Sequence, residues 1–455
     1  MGRFGRRCAI VWAQAFLGLA WLAAPSARAV QLDAGGLGQV LIYPYYTVYD
    51  RQQTVLSMTN ASDAAQVVQV TFREALNGRS VLQFKVWLGR YDVWTGTVLA
   101  LADDGIASAG AGIATADHSC TTPAFTSTGL TTSSGLSYMP LLDTSYSGAT
   151  SDGGPSGPAR ARHGWIEVIS LANLSGAIAS AITHTNGGFP ANCATVQNLP
   201  PNPVGISPPS GGLMGTASIV RAGSGTLLSS RAEAISGFSE VSLYNDVTQP
   251  GPDLASVNQG VLGAAVSAKI TDSQGRWQLL TYGQPGAGSR PIDAVSAVLM
   301  ASRVKNEYRA DTATGDATDW LLTLPTKRFY TDPAIIGAGS PALAPFEEPF
   351  GTPGNSRVCA PYRLVDQNQR AFSTNFIYCE PQPIYIAPSH YFFLFQAANA
   401  VGFLGSSISS PARTGVLAAP EPAGASTPFF PWHVPPVVGS AGWMDVNLAA
   451  RSHQL

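Results

Sequence analysis

Residues 66–88 read QVVQVTFREALNGRSVLQFKVWL, and this stretch decides the fold. Apolar and polar side chains alternate through both halves of it, which is the period of half-buried β-strands. A three-residue loop at 76–78 pairs Phe72 with Leu82 and puts the apolar sets of both strands on one face, whereas a two-residue loop would place them on opposite faces. Such a loop requires a residue at positive φ, and Gly78 supplies it. The stretch therefore predicts a hairpin with a bulge at Gly78.

The residues around this hairpin, 37–102, predict a sheet of five strands. These strands are expected at 39–49, 54–59, 66–74, 80–88 and 92–101. Pro44 lies inside the first of them and has no N–H to donate, so that strand is expected at an edge of the sheet or at a bulge. Trp87 lies on the opposite face of its strand from Phe84. Because an exposed indole is unfavourable, the second face of the sheet is expected to be covered as well.

Later segments supply further strands. Residues 163–171, HGWIEVISL, alternate in the same way, and the strands predicted at 214–222 and 226–235 form a second hairpin. Five strands are too few for an immunoglobulin-like β-sandwich, so the remaining strands must come from these later segments. We therefore assign residues 30–248 to one such sandwich with long loop insertions. A linker containing proline and glycine at 246–260 then leads to a second β-rich domain at 249–455. The predicted fold class is all-β with few short helices.

The N-terminus has the composition of a secretory signal peptide. A basic start, MGRFGRR, precedes an apolar run and the small-residue site Ala27-Arg28-Ala29, so residues 1–29 are predicted to be removed before Val30. A retained membrane anchor is the alternative, and Pro25 directly after the apolar run favours cleavage. No later apolar run reaches the roughly 18 residues of a membrane-spanning helix. The predicted location is extracytoplasmic, in the periplasm, at the cell surface or secreted.

The composition also limits the classes of partner. Charged residues make up 12% of the chain, and the formal net charge is −2. No basic patch stands out, so nucleic acid is not expected as a partner. The low share of charge, with 47 glycines and 33 prolines, is typical of an extracytoplasmic all-β protein.

Four cysteines remain once the predicted leader is removed, and an even number in an exported chain indicates two disulfides. Three pairings are open, and we favour the nearest neighbours in sequence. These are Cys120 with Cys193 and Cys359 with Cys379. A structural zinc site would need closely spaced cysteine or histidine ligands, and that spacing does not occur. No metal or cofactor is predicted.

Several motifs along the mature chain carry a resemblance to a known family. They are GQVLIYPYYTV, SVLQFKVWLGRYDVWTG, GWIEVIS, GGLMGTASIV and TDWLLTLPTKRFYTD. Together they resemble a family of uncharacterised secreted and cell-surface β-rich proteins of Gram-negative bacteria. The resemblance spans most of the mature chain and implies export, an extracytoplasmic site and a β-rich fold, but no activity or catalytic residue. Residues 37–102 also resemble bacterial immunoglobulin-like modules.

The densest group of aromatic residues lies in and just after the first predicted strand. Its members are Tyr43, Tyr45, Tyr46 and Tyr49. Tyrosine combines an apolar face with a polar tip, so tyrosines on an edge strand are suited to stacking a sugar ring or contacting a partner protein. Packing in the core and at its rim is the alternative interpretation. The predicted partner is therefore an envelope protein or a glycan.

Catalysis has weaker support from the sequence. No GxSxG motif occurs, and the histidines are isolated from one another. Glu74, Glu167 and Glu233 lie in or beside predicted strands, and a pair of such carboxylates can serve glycoside hydrolysis. The alternative is that Glu74, near the hairpin tip, lies in water or pairs with Arg73, Arg79 or Arg90. The sequence favours an exported cell-envelope or secreted protein with a non-enzymatic binding or structural role, and the alternative function is a carbohydrate-active hydrolase.

Overall fold

The structure is a computed structural model, and it describes most of the chain up to residue 351 and several strands after it. The described residues are 29–142, 148–245, 250–258, 265–271, 275–286, 288–300, 303–310, 320–321, 323–351, 356, 358–366, 371–380, 385–386 and 440–447. In the strands after residue 302 the backbone alone is described. The predicted signal peptide up to residue 28 and parts of the predicted linker lie outside this set, and the predicted domain division stays a prediction. No helix in the described part is long and apolar enough to cross a membrane.

The first half of the chain forms strands close to those that the alternation predicts, and it also forms short strands that the alternation does not predict. Three of these, at 111–114, 120–122 and 138–140, lie in a segment where the sequence predicts only loops. The strands of this half are β1 (Gln31–Leu32), β2 (Val40–Thr47), β3 (Gln53–Asn60), β4 (Ala65–Glu74), β5 (Ser80–Leu88), β6 (Val93–Ala100), β7 (Ala111–Ala114), β8 (Cys120–Thr122), β9 (Tyr138–Pro140), β10 (His163–Leu174), β11 (Ile206–Ser207), β12 (Leu213–Arg221), β13 (Thr226–Arg231) and β14 (Glu233–Ser236). The last two occupy a segment predicted as a single strand. They belong to different sheets, so the chain crosses from one sheet to the other between them.

Within the described residues these strands form two antiparallel sheets. The larger sheet runs β1-β14-β2-β10-β4-β5-β8, with β11 paired to β10, and the smaller sheet runs β13-β12-β3-β6-β7-β9. An apolar core lies between them, built from side chains of both sheets. The chain is therefore mainly β with few short helices, as predicted. The immunoglobulin-like topology stays a prediction.

The β4–β5 hairpin has the predicted register. Phe72 lies opposite Leu82, and Gly78 has a φ of 71°. The predicted position of the bulge is wrong, because the register shifts just beyond Phe72 and Val81 becomes the extra residue. The loop is longer than predicted because its backbone N–H groups wrap around the carboxylate of Glu74, which accepts hydrogen bonds from three of them.

The edge position predicted for β2 is wrong, whereas the bulge predicted in it is present. β2 lies between β14 and β10, inside the larger sheet. Gly164 pairs with Tyr46 and Ile166 pairs with Tyr43, so two residues of β2, beginning with Pro44, face a single residue of β10. A bulge leaves an unpaired residue in the ladder, which suits a proline that has no N–H to donate. This is why the proline is tolerated in an interior strand.

Both faces of the larger sheet are covered, as the orientation of Trp87 predicts. Trp87 is fully buried, and its Nε1–H donates to the hydroxyl of Thr122 at 2.9 Å. The core on this second face includes Val30, Trp165 and side chains between residues 254 and 346. Segments from both sides of residue 248 thus pack into one core.

The remaining elements lie mostly in the second half of the chain. The helices are α1 (Gly176–Ile182), α2 (Ala194–Gln197), α3 (Pro291–Leu299), α4 (Arg328–Thr331) and α5 (Pro333–Ile336). The strands are β15 (Val266–Thr271), β16 (Trp277–Tyr282), β17 (Arg303–Ala310), β18 (Trp320–Leu321), β19 (Val358–Asp366), β20 (Ala371–Glu380), β21 (Tyr385–Ile386) and β22 (Ser440–Asn447). Among these strands, β15 pairs with β16, β18 pairs with β21, and the other four form a sheet in the order β17-β22-β19-β20. Helix α3 begins at Pro291, which suits the first turn of a helix.

One of the two predicted disulfides is confirmed. Cys120 and Cys193 are bonded, with their Cα atoms 5.3 Å apart. For the second pair, the register of β19 and β20 places Cys359 directly opposite Cys379. Their side chains lie outside the described part of the chain, so this bond stays a prediction.

A non-reducing peptide map of the exported protein is expected to contain a peptide pair that joins Cys359 to Cys379. Directly opposed residues of antiparallel strands have Cβ atoms about 4.5–5.5 Å apart, close to the spacing of a disulfide. The Cys120–Cys193 peptide serves as the internal positive control in the same digest. Free thiols at Cys359 and Cys379, or a peptide joining either to another cysteine, would contradict the pairing.

Candidate functional site

The four tyrosines predicted to bind a partner divide into two pairs. Tyr43 and Tyr46 are buried in the core between the sheets. The Tyr43 hydroxyl donates to the carbonyl oxygen of Ser57 at 2.8 Å, and the Tyr46 hydroxyl donates to that of Ala161 at 3.1 Å. The hydroxyls of this pair make their hydrogen bonds inside the protein. Tyr43 and Tyr46 are therefore core residues and do not face an external partner.

Tyr45 and Tyr49 remain partly exposed. The bulge in β2 breaks the alternation, so Tyr43 and Tyr46 share the buried face and Tyr45 leaves it. Tyr49 follows the strand in a 3-10 turn, Tyr49–Arg51. Burial of its hydroxyl raises the pKa of Tyr45 to about 12, so this tyrosine stays protonated at neutral pH. Two of the four predicted residues therefore remain candidates for binding.

These two tyrosines meet Arg162 and His163 at the point where β10 begins, and we call the four residues the Tyr–His cluster. The ring centroid of His163 lies 6.5 Å from that of Tyr45 and 5.3 Å from that of Tyr49. The guanidinium carbon of Arg162 lies 4.4 Å from the centroid of the Tyr49 ring, within the range of a cation–π contact. β2 and β10 bring the cluster together because Thr47 pairs with His163 across the sheet.

The cluster contains polar atoms that are buried without a hydrogen-bond partner among the residues that the structure describes. Both ring nitrogens of His163 are in this state, and so is Nε of Arg162. Burial and the nearby charge of Arg162 lower the pKa of His163 from 6.5 to about 4, so the imidazole is neutral at pH 7. A neutral imidazole offers one N–H donor and one acceptor. Because buried polar groups are nearly always hydrogen-bonded, these atoms indicate a place for a ligand or an ordered water.

The pKa of His163 has a consequence for stability. A folded-state pKa near 4 and an unfolded-state value of 6.5 mean that the unfolded chain binds more protons between these pH values. The free energy of unfolding is therefore expected to fall as the pH is lowered from 6.5 to 4, by roughly 2–3 kcal/mol from this residue. Urea denaturation of the wild type and of His163→Phe at several pH values in this range measures the effect. Phenylalanine keeps an aromatic ring at this position but has no group that takes up a proton.

Carboxylates also titrate in acid, so the difference between the two proteins is the quantity that tests this assignment. The wild type is expected to lose more stability than His163→Phe between pH 6.5 and pH 4. The two curves are expected to become parallel about one pH unit below the folded-state pKa of His163. Parallel curves over the whole range would show that His163 is not held neutral by the fold.

The carboxylates considered for catalysis are committed to internal arginines. Glu74 is fully buried and accepts two hydrogen bonds from Arg160, at 3.1 and 3.2 Å, besides those from the hairpin loop. Glu167 is fully buried and lies 2.6 Å from Nε of Arg73. The indole N–H of Trp165 donates to the other oxygen of Glu167 at 3.2 Å. Both carboxylates are therefore structural anions without access to a substrate.

The third carboxylate, Glu233, does not complete a catalytic pair with Glu167. The two residues lie in one row across the larger sheet, and Ile42 pairs with both of them. Ile42 is fully buried between the two positions. A hydrolase of this type needs room for a sugar or a water between its carboxylates, and here an isoleucine occupies that space.

The arginine–carboxylate pairs belong to a larger group, which we call the hairpin-tip network. It comprises Arg73, Arg79, Arg160, Arg328, Glu74, Asp152, Glu167, Asp253 and Asp332. Arg160 is central, because it also binds both oxygens of Asp152, at 2.9 and 2.6 Å. Burial alone would raise the pKa of Asp152, but the hydrogen bonds and charge of Arg160 hold it below its ordinary value. The network joins the β4–β5 loop to the segments around residues 152, 253 and 332.

Sequence reasoning missed the network and half of the Tyr–His cluster. Arg73 and Glu74 stand inside a strand whose residues are all buried, and two adjacent charges in such a strand are a local signal of buried ion pairs. Arg162 and His163 carry a weaker signal, a cation and an imidazole directly before the apolar strand GWIEVIS. Which tyrosines they meet depends on strand pairing and cannot be deduced locally.

The cluster offers hydrogen-bond donors, one acceptor and aromatic faces. Within the part of the chain that the structure describes, no group of three or more histidine, cysteine, aspartate or glutamate side chains is placed to hold a metal ion. The function therefore has to be inferred from the geometry of the cluster itself. Comparisons of this chain with family models, with curated proteins and with solved structures find no match.

Proposed function

We propose that this protein is exported and acts outside the cytoplasm as a non-catalytic binding protein of the cell envelope, with the Tyr–His cluster as its ligand site. The observation that carries the proposal is the neutral imidazole of His163. Its two buried nitrogens have no hydrogen-bond partner in the described part of the chain, while its ring contacts Tyr45 and Tyr49. A group in this state has hydrogen-bonding capacity that only a ligand or water can use.

Several features support an extracytoplasmic site. The Cys120–Cys193 disulfide belongs to a class of bond that persists in oxidising compartments. The leader at residues 1–29 has the order of a secretory signal peptide. The resemblance to secreted and cell-surface β-rich proteins points the same way, and the immunoglobulin-like character of residues 30–248 is part of this proposal.

The chemistry of the cluster favours a glycan as ligand. A sugar ring presents C–H groups that pack on the face of a tyrosine, and its hydroxyls both donate and accept hydrogen bonds. The neutral imidazole of His163 supplies the matching acceptor and donor. A hydrolase function has no comparable support, because Glu74 and Glu167 are neutralised by buried arginines.

A glycan array probed with the mature chain, followed by calorimetry on the best ligand, tests the proposal. Tyr49→Ala is expected to weaken binding at least about tenfold, since an aromatic contact of about 1.4 kcal/mol corresponds to that factor. His163→Phe is expected to weaken binding as well. Phenylalanine keeps an aromatic ring at this position, but it cannot make the hydrogen bonds that the imidazole would make to the ligand.

Tyr91→Ala is the matched control, because Tyr91 is 68% exposed and lies outside the cluster. This variant is expected to bind as the wild type does, and thermal unfolding confirms that each variant is folded. The proposal is overturned if the array shows no ligand, or if a ligand binds equally well to the wild type, Tyr49→Ala and His163→Phe.

A further inference from the structure

The Tyr–His cluster contains a cation that the fold leaves without a counter-ion. Each arginine of the hairpin-tip network pairs with a carboxylate. Arg162 differs, since no carboxylate of the described residues forms an ion pair with it. The only hydrogen bond of its guanidinium in this set is a long one, 3.4 Å, from Nη2 to the carbonyl oxygen of Val48. A partly buried guanidinium in this state favours a bound anion.

The surroundings add to this excess of positive charge. Arg51, two residues after Tyr49, is exposed and belongs to no ion pair among the described residues. The neighbouring carboxylate of Asp50 forms an ion pair with Arg221, with 2.8 Å between their charged atoms. This corner is therefore cationic in a chain whose formal net charge is −2. An acidic ligand is attracted to such a corner, and a neutral ligand gains nothing from it.

The unpartnered atoms are donors that suit a carboxylate. Nε of Arg162 carries an N–H without an acceptor, and the imidazole of the adjacent His163 offers a second N–H. Arginine donates to carboxylates through charge-assisted hydrogen bonds, which are roughly twice as strong as neutral ones. The guanidinium also lies on the ring of Tyr49, so an anion bound to it would lie beside an aromatic face.

We propose that the Tyr–His cluster recognises an acidic sugar, with the sugar ring against Tyr49 and its carboxylate on Nε of Arg162 and on the imidazole of His163. This inference rests on the proposed function and names the ligand class of the same site. The ring nitrogens of His163 and Nε of Arg162 are covered in the unliganded protein, so binding requires side chains of the cluster to move. Tyr49 is suited to this, because its hydroxyl makes only a 3.4 Å hydrogen bond to Ala159.

The test compares an acid with its ester. Calorimetry on the mature chain measures binding of an oligogalacturonate and of the same oligomer with every carboxylate methyl-esterified, which keeps the ring and removes the charge. The acid is expected to bind at least about tenfold more tightly than the ester, and Arg162→Gln is expected to abolish this preference. Arg162→Lys, which keeps a charge but loses the planar donor geometry, is expected to retain part of it.

Arg90→Gln is the control, because Arg90 is an exposed arginine outside the cluster, and it is expected to keep the full preference. A first contrary result is that the acid and the ester bind the wild type with equal affinity and that Tyr49→Ala weakens the binding of both to the same extent. That result would overturn the acidic-sugar inference and leave glycan binding standing. A preference for the acid that persists in Arg162→Gln would place the anion elsewhere and also overturn it. If no glycan of any kind binds, both this inference and the proposed function fail.

Discussion

Replacement of Arg160 by methionine is expected to lower the free energy of unfolding by about 3–5 kcal/mol, the typical cost of removing one partner from a buried ion pair. Arg160 is 6% exposed and holds Glu74 and Asp152 at once. Methionine fills much of the volume but leaves both carboxylates without a counter-ion. Urea denaturation at pH 7 measures the loss.

The matched control is Arg90→Met, which removes an exposed arginine and is expected to change stability by less than about 0.5 kcal/mol. The effect of Arg160→Met is expected to depend on pH in a defined direction. Because the folded-state pKa of Asp152 lies below its ordinary value, the stability from this pair is complete above that ordinary value and is lost as the pH falls through the folded one. The difference between Arg160→Met and wild type should therefore shrink in acid. A loss of unfolding free energy below about 1 kcal/mol at pH 7 would show that hydration, and not pairing with Arg160, stabilises the charges of these carboxylates.

Removal of the Cys120–Cys193 disulfide by the double replacement with alanine is expected to cost about 4 kcal/mol. The two cysteines are separated by 73 residues in sequence, and closing a loop of that length removes much of the conformational entropy of the unfolded chain. β8, which contains Cys120, is a short strand at an edge of the larger sheet and depends on this link.

This prediction is tested by denaturing the wild type and the double variant, each with and without reductant. Wild type is expected to lose stability when reduced, and the double variant is expected to be less sensitive, since only the predicted Cys359–Cys379 bond remains to be broken. Equal midpoints for the oxidised wild type and the double variant would contradict the prediction. It would mean that β8 is held by packing alone.

The hairpin-tip network shows how a chain with few charges uses them. Charged residues are 12% of the sequence, yet several lie in the interior of the larger sheet and at its loops. Buried ion pairs add little net stability, but each is strongly unfavourable if one partner is missing. The network therefore penalises arrangements in which the β4–β5 loop and the segments around residues 152 and 332 are not in contact.

The same argument separates the two functional hypotheses derived from the sequence. Carboxylates on strands are equally compatible with catalysis and with internal ion pairs until their partners are known. Glu167 meets Arg73 at 2.6 Å, and Glu74 meets Arg160 at 3.1 Å. The sequence offers pairing with Arg73, Arg79 or Arg90 as the alternative for Glu74, but Arg160, far along the chain, is the partner found.

The hairpin was predictable because its determinants are local. The alternation in residues 66–88 specifies which side chains share a face, and only one register keeps Phe72 and Leu82 together. The sequence favours a disulfide between Cys120 and Cys193 because each is the nearest cysteine to the other in its half of the chain, and the fold confirms this bond. The bulge at Pro44 is one of two alternatives that the sequence offers, because a proline without an N–H fits either at an edge strand or at a break in the ladder.

By itself, then, the sequence determined the strands of its alternating stretches, the register of the first hairpin and a chain that is mainly β. The tertiary structure alone decided that β2 is an interior strand, that Tyr43 and Tyr46 are core residues, and that Tyr45 and Tyr49 meet His163. The physical reason is that periodicity assigns a side chain to a face, whereas its partner on that face comes from the neighbouring strand. Strand order in the larger sheet joins β2 to β10 across more than a hundred residues of chain, and no local pattern encodes that contact.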